Sequence, residues 1–204
     1  AFGEIAQGGT RRGANMGILR IDHPDILEFI SAKKNNNRLN NFNLSVGITN
    51  SFMQKVKENA DYNLINPRTN KVTSTLNARE VFNKIIDGAW RNGEPGVVFL
   101  DRINQYNPTP QLGEIESTNP CGEQPLLPYE SCNLGSIVLP KHLIQTKQGY
   151  ELDWNLLERS VHSATHFLDN MIDLSKFPLK KIANEVEKTR KLGLGVVGLG
   201  SMFY

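Results

Sequence analysis

Cysteine is scarce in this sequence, and its scarcity excludes one whole class of fold. The 204 residues include two cysteines, Cys121 and Cys132. Small extracellular scaffolds held by disulfides need a denser set, so these two residues call for another explanation. A reducing compartment is the default for such a chain, and we expect a cytoplasmic protein.

Long apolar runs are also missing. The longest uninterrupted stretch that looks buried is residues 96–100, far short of the roughly 20 residues that span a bilayer. The first residues show no basic region followed by an apolar segment, which is the mark of a secretory signal. The sequence therefore predicts a soluble protein with no membrane partner.

Charge of one sign is lacking as well. The chain has 23 basic and 21 acidic side chains, a formal charge of +2. This balance gives no field strong enough to favour a nucleic acid as the main partner. Hydrophobic residues make up 39% of the chain, which is enough to bury a core. An enzyme that acts on a small molecule remains open.

The two ends of the sequence indicate a piece of a longer protein. It starts at Ala1 in a glycine-rich stretch, and residues 200–204 read as the first turn of a helix after a strand. We expect one incomplete domain over residues 1–204, with partners for its reactive groups elsewhere in the longer protein.

Periodicity predicts alternating strands and helices. Apolar patterns predict helices over residues 49–58, 78–92, 153–173 and 179–189, with another after Asp22, which we expect to cap it. Strands are predicted at 16–21, 42–48, 96–100, 131–139 and 192–197, and a hairpin or irregular excursion at 60–77. This alternation favours an α/β fold, a parallel or mixed sheet wrapped by helices.

The segment with the most chemistry is residues 118–125, which lies in a long stretch with little periodicity. Pro120 and Pro125 disfavour the helical region for the residue before each of them, so we expect the chain between them to be extended. Side chains alternate along an extended chain, so Asn119, Cys121 and Glu123 would then project to one side.

This trio suits hydrogen-atom chemistry better than ionic attack. The carboxylate of Glu123 opposes formation of a thiolate at Cys121, and no histidine lies nearby in sequence to offset it. A cysteine that donates and accepts a hydrogen atom has no need of a thiolate. Glu123 could then take a proton from a substrate hydroxyl that Asn119 holds in place. The alternative from spacing alone is a proline-rich loop with an inert, buried cysteine.

The wider segment, residues 119–137, resembles the finger-loop signature of ribonucleotide reductase catalytic chains, most of all the adenosylcobalamin-dependent class. Residues 8–17 and 22–26 are similar to the first effector loop of that family and the helix after it. Residues 33–43 lie where the family has its second, specificity-transmitting loop, and residues 190–196 resemble a later barrel strand.

The resemblance implies a ten-stranded α/β barrel with the cysteine loop through its centre, and a role for each site residue. Cys121 would hold a thiyl radical and abstract the ribose 3′-hydrogen, Glu123 would deprotonate the 3′-hydroxyl, and Asn119 would hydrogen-bond it. Cys132 would be one of two thiols that reduce the substrate and form a disulfide, its partner lying outside the chain. A Cys121–Cys132 disulfide is the rival interpretation, which would consume the radical carrier.

The resemblance also implies regulation and partners. A deoxynucleotide or ATP effector, a thioredoxin-type reductant and a homodimer are expected, and the fragment alone should be inactive. Arginines of the first loop would meet an effector phosphate, and residues of the second loop would sense the substrate base. These residues are Arg11, Arg12, Asn36, Asn37, Arg38 and Asn40.

The implied cofactor is adenosylcobalamin. An alternative is the large subunit of the oxygen-dependent class, whose radical comes from a metal-bearing second subunit. A further alternative is a nucleotide-binding module without catalysis.

No metal site is predicted in the chain. Glu158, His162 and His166 have helical spacing that could hold a metal ion, but a solvent-facing polar stripe explains them better. Residues 193–198 mimic a dinucleotide fingerprint without the acidic residue that should follow about 20 positions later.

Overall fold

The computed structural model describes residues 6–7, 11–34 and 39–204, and for residues 6, 7, 11 and 12 the backbone path alone. The chain forms two compact units, Ala1–Pro128 and Tyr129–Tyr204. The expectation of one incomplete barrel domain stays a prediction.

The first unit contains nine strands and four helices among its described residues. The helices are α1 Ile26–Ser31, α2 Asn50–Glu58, α3 Ala78–Asn92 and α4 Leu100–Gln105. The strands are β1 Ala6–Gln7, β2 Arg11–Arg12, β3 Asn15–Arg20, β4 Phe42–Ile48, β5 Asp61–Ile65, β6 Val72–Asn77, β7 Gly96–Phe99, β8 Ser117–Thr118 and β9 Pro125–Leu126.

A parallel sheet in the order β3, β4, β7 is the base of this unit. Strand β4 lies in the centre of the sheet, paired with β3 on one side and β7 on the other. Helix α1 connects β3 to β4, and α2, the β5–β6 hairpin and α3 connect β4 to β7. Its residues from Leu44 to Ile48 are all buried, as expected of a parallel strand covered on both faces.

Capping residues fix the helix ends next to the sheet. The Thr49 side chain accepts from the Phe52 N–H at 3.2 Å, and the Asn77 side chain accepts from the Glu80 N–H at 3.1 Å. Helix α3 ends at Gly93, whose φ of 84° suits glycine. The α2 and α3 bounds therefore agree with the predicted ones.

The core of the unit lies between the sheet and its helices. It contains Ile26 and Ile30 of α1, Val46 and Ile48 of β4, and other residues of the same cluster: Ile21, Phe52, Tyr62, Leu64, Ala78, Val81 and Ile85. Phe52 and Tyr62 meet edge to face at 4.9 Å between centroids. Burial raises the pKa of Tyr62, whose hydroxyl donates to the Ile21 carbonyl at 3.2 Å.

The start of α1 differs from the prediction. Asp22 does not cap the helix, which begins at Ile26. Its carboxylate instead accepts from the guanidinium of Arg20 at 2.9 and 3.1 Å, which engages both carboxylate oxygens. This hydrogen bonding raises the pKa of Arg20.

The second unit contains a two-stranded parallel sheet, an antiparallel hairpin and three helices. Its elements are β10 Asn133–Val138, β11 Leu143–Thr146, β12 Gly149–Leu152, α5 Trp154–Leu174, α6 Lys180–Thr189, β13 Leu192–Val197 and α7 Leu199–Met202. Strand β10 pairs with β13 along its whole length, and β11 pairs with β12. The Asp153 side chain caps α5 by accepting from the Leu156 N–H at 2.9 Å, as predicted.

Ion pairs hold the segment where α6 passes into β13. Arg190 binds Asp169 and Asp173 of α5, each at 2.8 Å. The hydrogen bond from Arg190 to Asp169 lowers the pKa of Asp169. The next residue, Lys191, pairs with Glu130 at 2.7 Å; 16% of the lysine side chain and none of the glutamate side chain is exposed.

The predicted α/β class is confirmed, with mixed helices and parallel strands. The described residues form no closed barrel, because the parallel strands lie in one sheet of three and one sheet of two. Among the helices that the structure describes, not one combines the length and apolar character that a membrane span requires.

Two adjacent isoleucines of α3 test where the core lies. Ile85 is 2% exposed and Ile86 is 48% exposed, although the two side chains have the same composition. Ile85→Ala should lower the free energy of unfolding by about 2–5 kcal/mol because it leaves a cavity. The control Ile86→Ala should change it by about 0.5 kcal/mol or less. Urea denaturation measures both, and equal losses would contradict this core.

Two lysines of the second unit test the buried ion pair. Lys191→Met removes the ammonium from a fully buried carboxylate and should cost about 3–5 kcal/mol of unfolding free energy. Lys188→Met is the control, since Lys188 pairs with Glu185 on the surface, where such pairs contribute about 0–1 kcal/mol. The same denaturation experiment compares them, and a negligible effect of Lys191→Met would show that the pair contributes little.

Candidate active site at a cysteine hairpin

The residues with the strongest predicted chemistry lie at the tip of a β-hairpin. Strands β8 and β9 pair antiparallel, with Thr118 opposite Pro125. Between them lies the cysteine tip, which we define as residues 119–124. The Asn119 N–H donates to the Gln124 carbonyl at 3.1 Å, so the two ends of the tip are bonded to each other.

The cysteine tip is a turn, and the prediction of an extended chain was wrong. The Gly122 N–H donates to the Asn119 carbonyl at 3.0 Å, which closes a β-turn over residues 119–122. Proline favours the second position of such a turn, where Pro120 lies, and glycine the fourth. Gly122 has a φ of 85°, which a residue with a side chain rarely adopts. The two prolines thus bracket a reversal of the chain.

Cys121 occupies the third position of this turn and is exposed. It is a thiol and not part of a disulfide, so the rival disulfide with Cys132 is absent from this structure. Apart from its two chain neighbours, no described residue has an atom within 4 Å of where a Cβ on Gly122 would lie. The exposed thiol therefore has a residue without a side chain directly beside it in the chain.

The oxygen and the NH₂ group of the Asn119 side-chain amide differ in their contacts. Its side-chain oxygen accepts from the Gln124 N–H at 3.0 Å, which fixes the orientation of the amide. Its NH₂ group has no hydrogen-bond partner among the described residues. The amide is therefore oriented by the tip and still able to donate to a ligand oxygen.

Glu123 is exposed at the same tip. Its carboxylate makes no ion pair or hydrogen bond with the part of the chain that the structure describes. The tip therefore presents an amide donor, a thiol and a carboxylate within six residues. They lie on a turn, and not on one side of an extended strand as predicted.

Cys132 belongs to the second unit, where it directly precedes β10 and is partly buried. The Glu130–Lys191 pair fixes the chain two residues before it. The Asn133 side chain, one residue after it, donates to the Leu168 carbonyl of α5 at 3.0 Å. Contacts on both sides thus hold the backbone of Cys132.

The predicted loop residues are described only in part. The backbone of Arg11 and Arg12 forms β2, while their side chains and all of Asn36, Asn37 and Arg38 lie outside the described residues. Asn40 is exposed in a turn that the Phe42 N–H closes by donating to the Leu39 carbonyl at 2.9 Å.

Sequence reasoning did not find Asn43, which contacts the cysteine tip. Its side-chain NH₂ donates to the Pro120 carbonyl at 2.5 Å. The available signal was a polar residue within β4, on the strand face opposite to Leu44, Val46 and Ile48. An asparagine on that face indicates a hydrogen-bond partner.

A cleft of about 690 Å³ lies at the carboxyl ends of the sheet strands in the first unit. Carboxylates dominate the charged groups in its lining, which include Arg20 with Asp22, Asp101, Glu114 and Glu116. This excess of negative charge disfavours a phosphate group.

The polar stripe on α5 faces solvent as predicted. Glu158, His162 and His166 are exposed, and the closest approach of Glu158 to His162 is 3.9 Å.

Comparison with known proteins places these features in a family. The family model described as "Ribonucleotide reductase, barrel domain" matches residues 1–204. A vitamin B12-dependent ribonucleoside-diphosphate reductase of Thermoplasma acidophilum is 54% identical over 200 residues, which cover 97% of this chain and 26% of that protein. The protein of the same name from Mycobacterium tuberculosis is 47% identical over 203 residues, 99% of this chain and 29% of that protein.

A more distant relative, a vitamin B12-dependent ribonucleotide reductase of Streptomyces avermitilis, is 32% identical over 225 residues, 98% of this chain and 23% of that protein. The chain thus spans about a quarter of the length of these relatives. Because the family model covers the whole chain, this chain belongs to the ribonucleotide reductase barrel-domain family.

Proposed function

We propose that the reductase containing this chain converts ribonucleotides to 2′-deoxyribonucleotides, with Cys121 as the carrier of a thiyl radical. One observation carries the proposal: the cysteine tip presents an exposed thiol between an oriented amide and an unengaged carboxylate. The names of the relatives support the same reaction.

The role of Cys121 is to exchange a hydrogen atom with the substrate. As a thiyl radical it takes the 3′-hydrogen of the ribose, which leaves a radical at C3′ and a thiol on the cysteine. The same hydrogen returns at the end, which regenerates the thiyl radical. The turn geometry supports this role because it exposes the sulfur beside a glycine.

Glu123 and Asn119 act on the 3′-hydroxyl group. The carboxylate of Glu123 takes the 3′-hydroxyl proton, which assists loss of the 2′-hydroxyl as water once one of the reducing thiols has given it a proton. The free NH₂ group of Asn119 donates a hydrogen bond to the same oxygen. Its other end is already fixed within the tip, so little conformational entropy is lost on binding.

Cys132 supplies part of the reducing power. The substrate gains two electrons and two protons in all, and two thiols lose them and become a disulfide. Cys132 is one of these thiols, and the second belongs to a part of the reductase beyond this chain. A thioredoxin-type reductant then restores both thiols.

Adenosylcobalamin is the proposed cofactor, in agreement with the names of the relatives. When bound, it supplies the radical that oxidises the thiol of Cys121. The open space beside Gly122 and the exposed sulfur fit access by such a group. We propose that the remaining strands complete a ten-stranded barrel around the cysteine tip and shield it from water and oxidants.

Regulation is proposed for the two loops before β3 and β4. Arg11 and Arg12 would bind the phosphate of a deoxynucleotide or ATP effector in a homodimer, while Asn36, Asn37, Arg38 and Asn40 would sense the substrate base. A ribonucleoside diphosphate is the proposed substrate, since two of the relatives are named diphosphate reductases.

The thiol is the first target for a test in the full-length reductase. Cys121→Ser should lower kcat by at least about 10³-fold, because an alcohol does not replace a thiol in hydrogen-atom transfer. Effector affinity should stay unchanged. Cys132→Ser is the companion variant, which should block repeated turnover while retaining cleavage of the 3′ C–H bond. Normal turnover by Cys121→Ser would instead support a nucleotide-binding module without catalysis.

The cofactor is tested with the same protein. Adenosylcobalamin, a reductant and a ribonucleotide should suffice for deoxynucleotide formation, and 5′-deoxyadenosine should be detected by chromatography. Turnover that needs an added diiron subunit would assign the chain to the oxygen-dependent class.

A further inference from the structure

Asn43 contacts the peptide group that leads into Cys121. Its side-chain NH₂ donates to the Pro120 carbonyl at 2.5 Å. That carbonyl and the Cys121 N–H belong to one planar peptide unit. The hydrogen bond therefore restrains the orientation of this peptide plane. The plane includes the Cys121 Cα, so the bond also restrains the position of the sulfur.

The other hydrogen bonds of the cysteine tip come from the hairpin itself. They join Asn119 to Gln124, to Gly122 and to the Thr118 hydroxyl, which donates to the Asn119 carbonyl at 2.9 Å. Asn43 lies on β4, 77 residues away in sequence. Among the residues that the structure describes, it is the one that joins the tip to the parallel sheet by a hydrogen bond.

An ion pair holds the backbone of Asn43 from both sides. The Lys33 ammonium donates to the Phe42 carbonyl at 2.5 Å and pairs with Glu94 at 2.7 Å. The other Glu94 oxygen accepts from the Leu44 N–H at 3.3 Å. The two side chains are 14% and 22% exposed, so the pair is partly shielded from water.

This ion pair hydrogen-bonds the part of β4 that β7 does not reach. Pairing between β4 and β7 starts with Ser45 opposite Gly96, so β7 does not reach residues 42–44. Glu94, two residues before β7, satisfies the backbone there with its side chain. Asn43 is therefore fixed at its backbone although it lies at the end of the strand, and its side chain starts from a defined position.

We propose that Asn43 is a positioning residue for Cys121, and this proposal rests on the proposed function. It acts through the Pro120 carbonyl and touches neither substrate nor cofactor in this role. A displacement of about 1 Å at a reacting atom can lower a rate by about 10²-fold, so one tether at the tip is sufficient to affect catalysis.

The fold does not depend on this side chain. Asn43 is exposed, whereas the packing of β4 rests on its buried neighbours Leu44, Val46 and Ile48. Its replacement should therefore release the tip and leave the sheet intact.

Two variants of the full-length reductase test the proposal. Asn43→Ala removes the tether, and Asn43→Asp keeps its shape while replacing the NH₂ donor by an oxygen that repels the carbonyl. We expect kcat to fall about 10- to 100-fold, with KM within about twofold of the wild-type value. A 3′-deuterated substrate should show an isotope effect on kcat at least as large as with the unchanged enzyme, because hydrogen abstraction is the slowed step.

A second readout does not need turnover. Alkylation of Cys121 by iodoacetamide, followed by mass spectrometry of the full-length protein, should be about 2- to 10-fold faster in both variants, since one hydrogen bond no longer holds the tip. The matched control is Asn63→Ala, which changes an exposed asparagine on β5 and should alter neither rate.

The outcomes separate this proposal from the proposed function. If the unchanged reductase makes no deoxynucleotide, the proposed function fails and the alkylation rate alone decides the role of Asn43. Wild-type kcat and alkylation rates in both variants would overturn the proposal. A loss of kcat with a smaller isotope effect would also overturn it, because another step would then be limiting.

Discussion

The β-turn at residues 119–122 is the constraint on which the candidate site depends. Its closing hydrogen bond, from the Gly122 N–H to the Asn119 carbonyl, brings the thiol to the outside of the tip. The Asn119 side chain closes the same loop a second time through the Gln124 N–H. Both bonds join residues that lie within six positions of each other along the chain.

Each cysteine is held by a different physical means. Cys121 lies on a hairpin whose tip is bonded to the central strand of a parallel sheet through Asn43. Cys132 lies at the start of a strand, between a buried ion pair and a hydrogen bond to α5. The difference agrees with the proposed chemistry: an open thiol suits hydrogen-atom exchange, and a partly buried thiol suits a reductant that forms a disulfide in each cycle.

Charges in the first unit favour the same interpretation. The exposed carboxylate of Glu123 shares the tip with the exposed thiol of Cys121. The cleft at the carboxyl ends of the strands is dominated by carboxylates and is unsuited to phosphate.

Local sequence determined most of the elements and indicated the candidate reactive residues. The bounds of β4, α3 and β13 follow from residue periodicity and from local caps such as Asn77, and the segment 119–123 indicates its chemistry by residue types alone. Tertiary structure decided what depends on distant partners. Two prolines are compatible with an extended chain or a turn, and pairing of β8 with β9 selects the turn. Asn43 reaches Pro120 across 77 residues, a contact that exists only once the sheet and the hairpin have assembled. The packing of α3 on the core buries Ile85 and leaves Ile86 exposed.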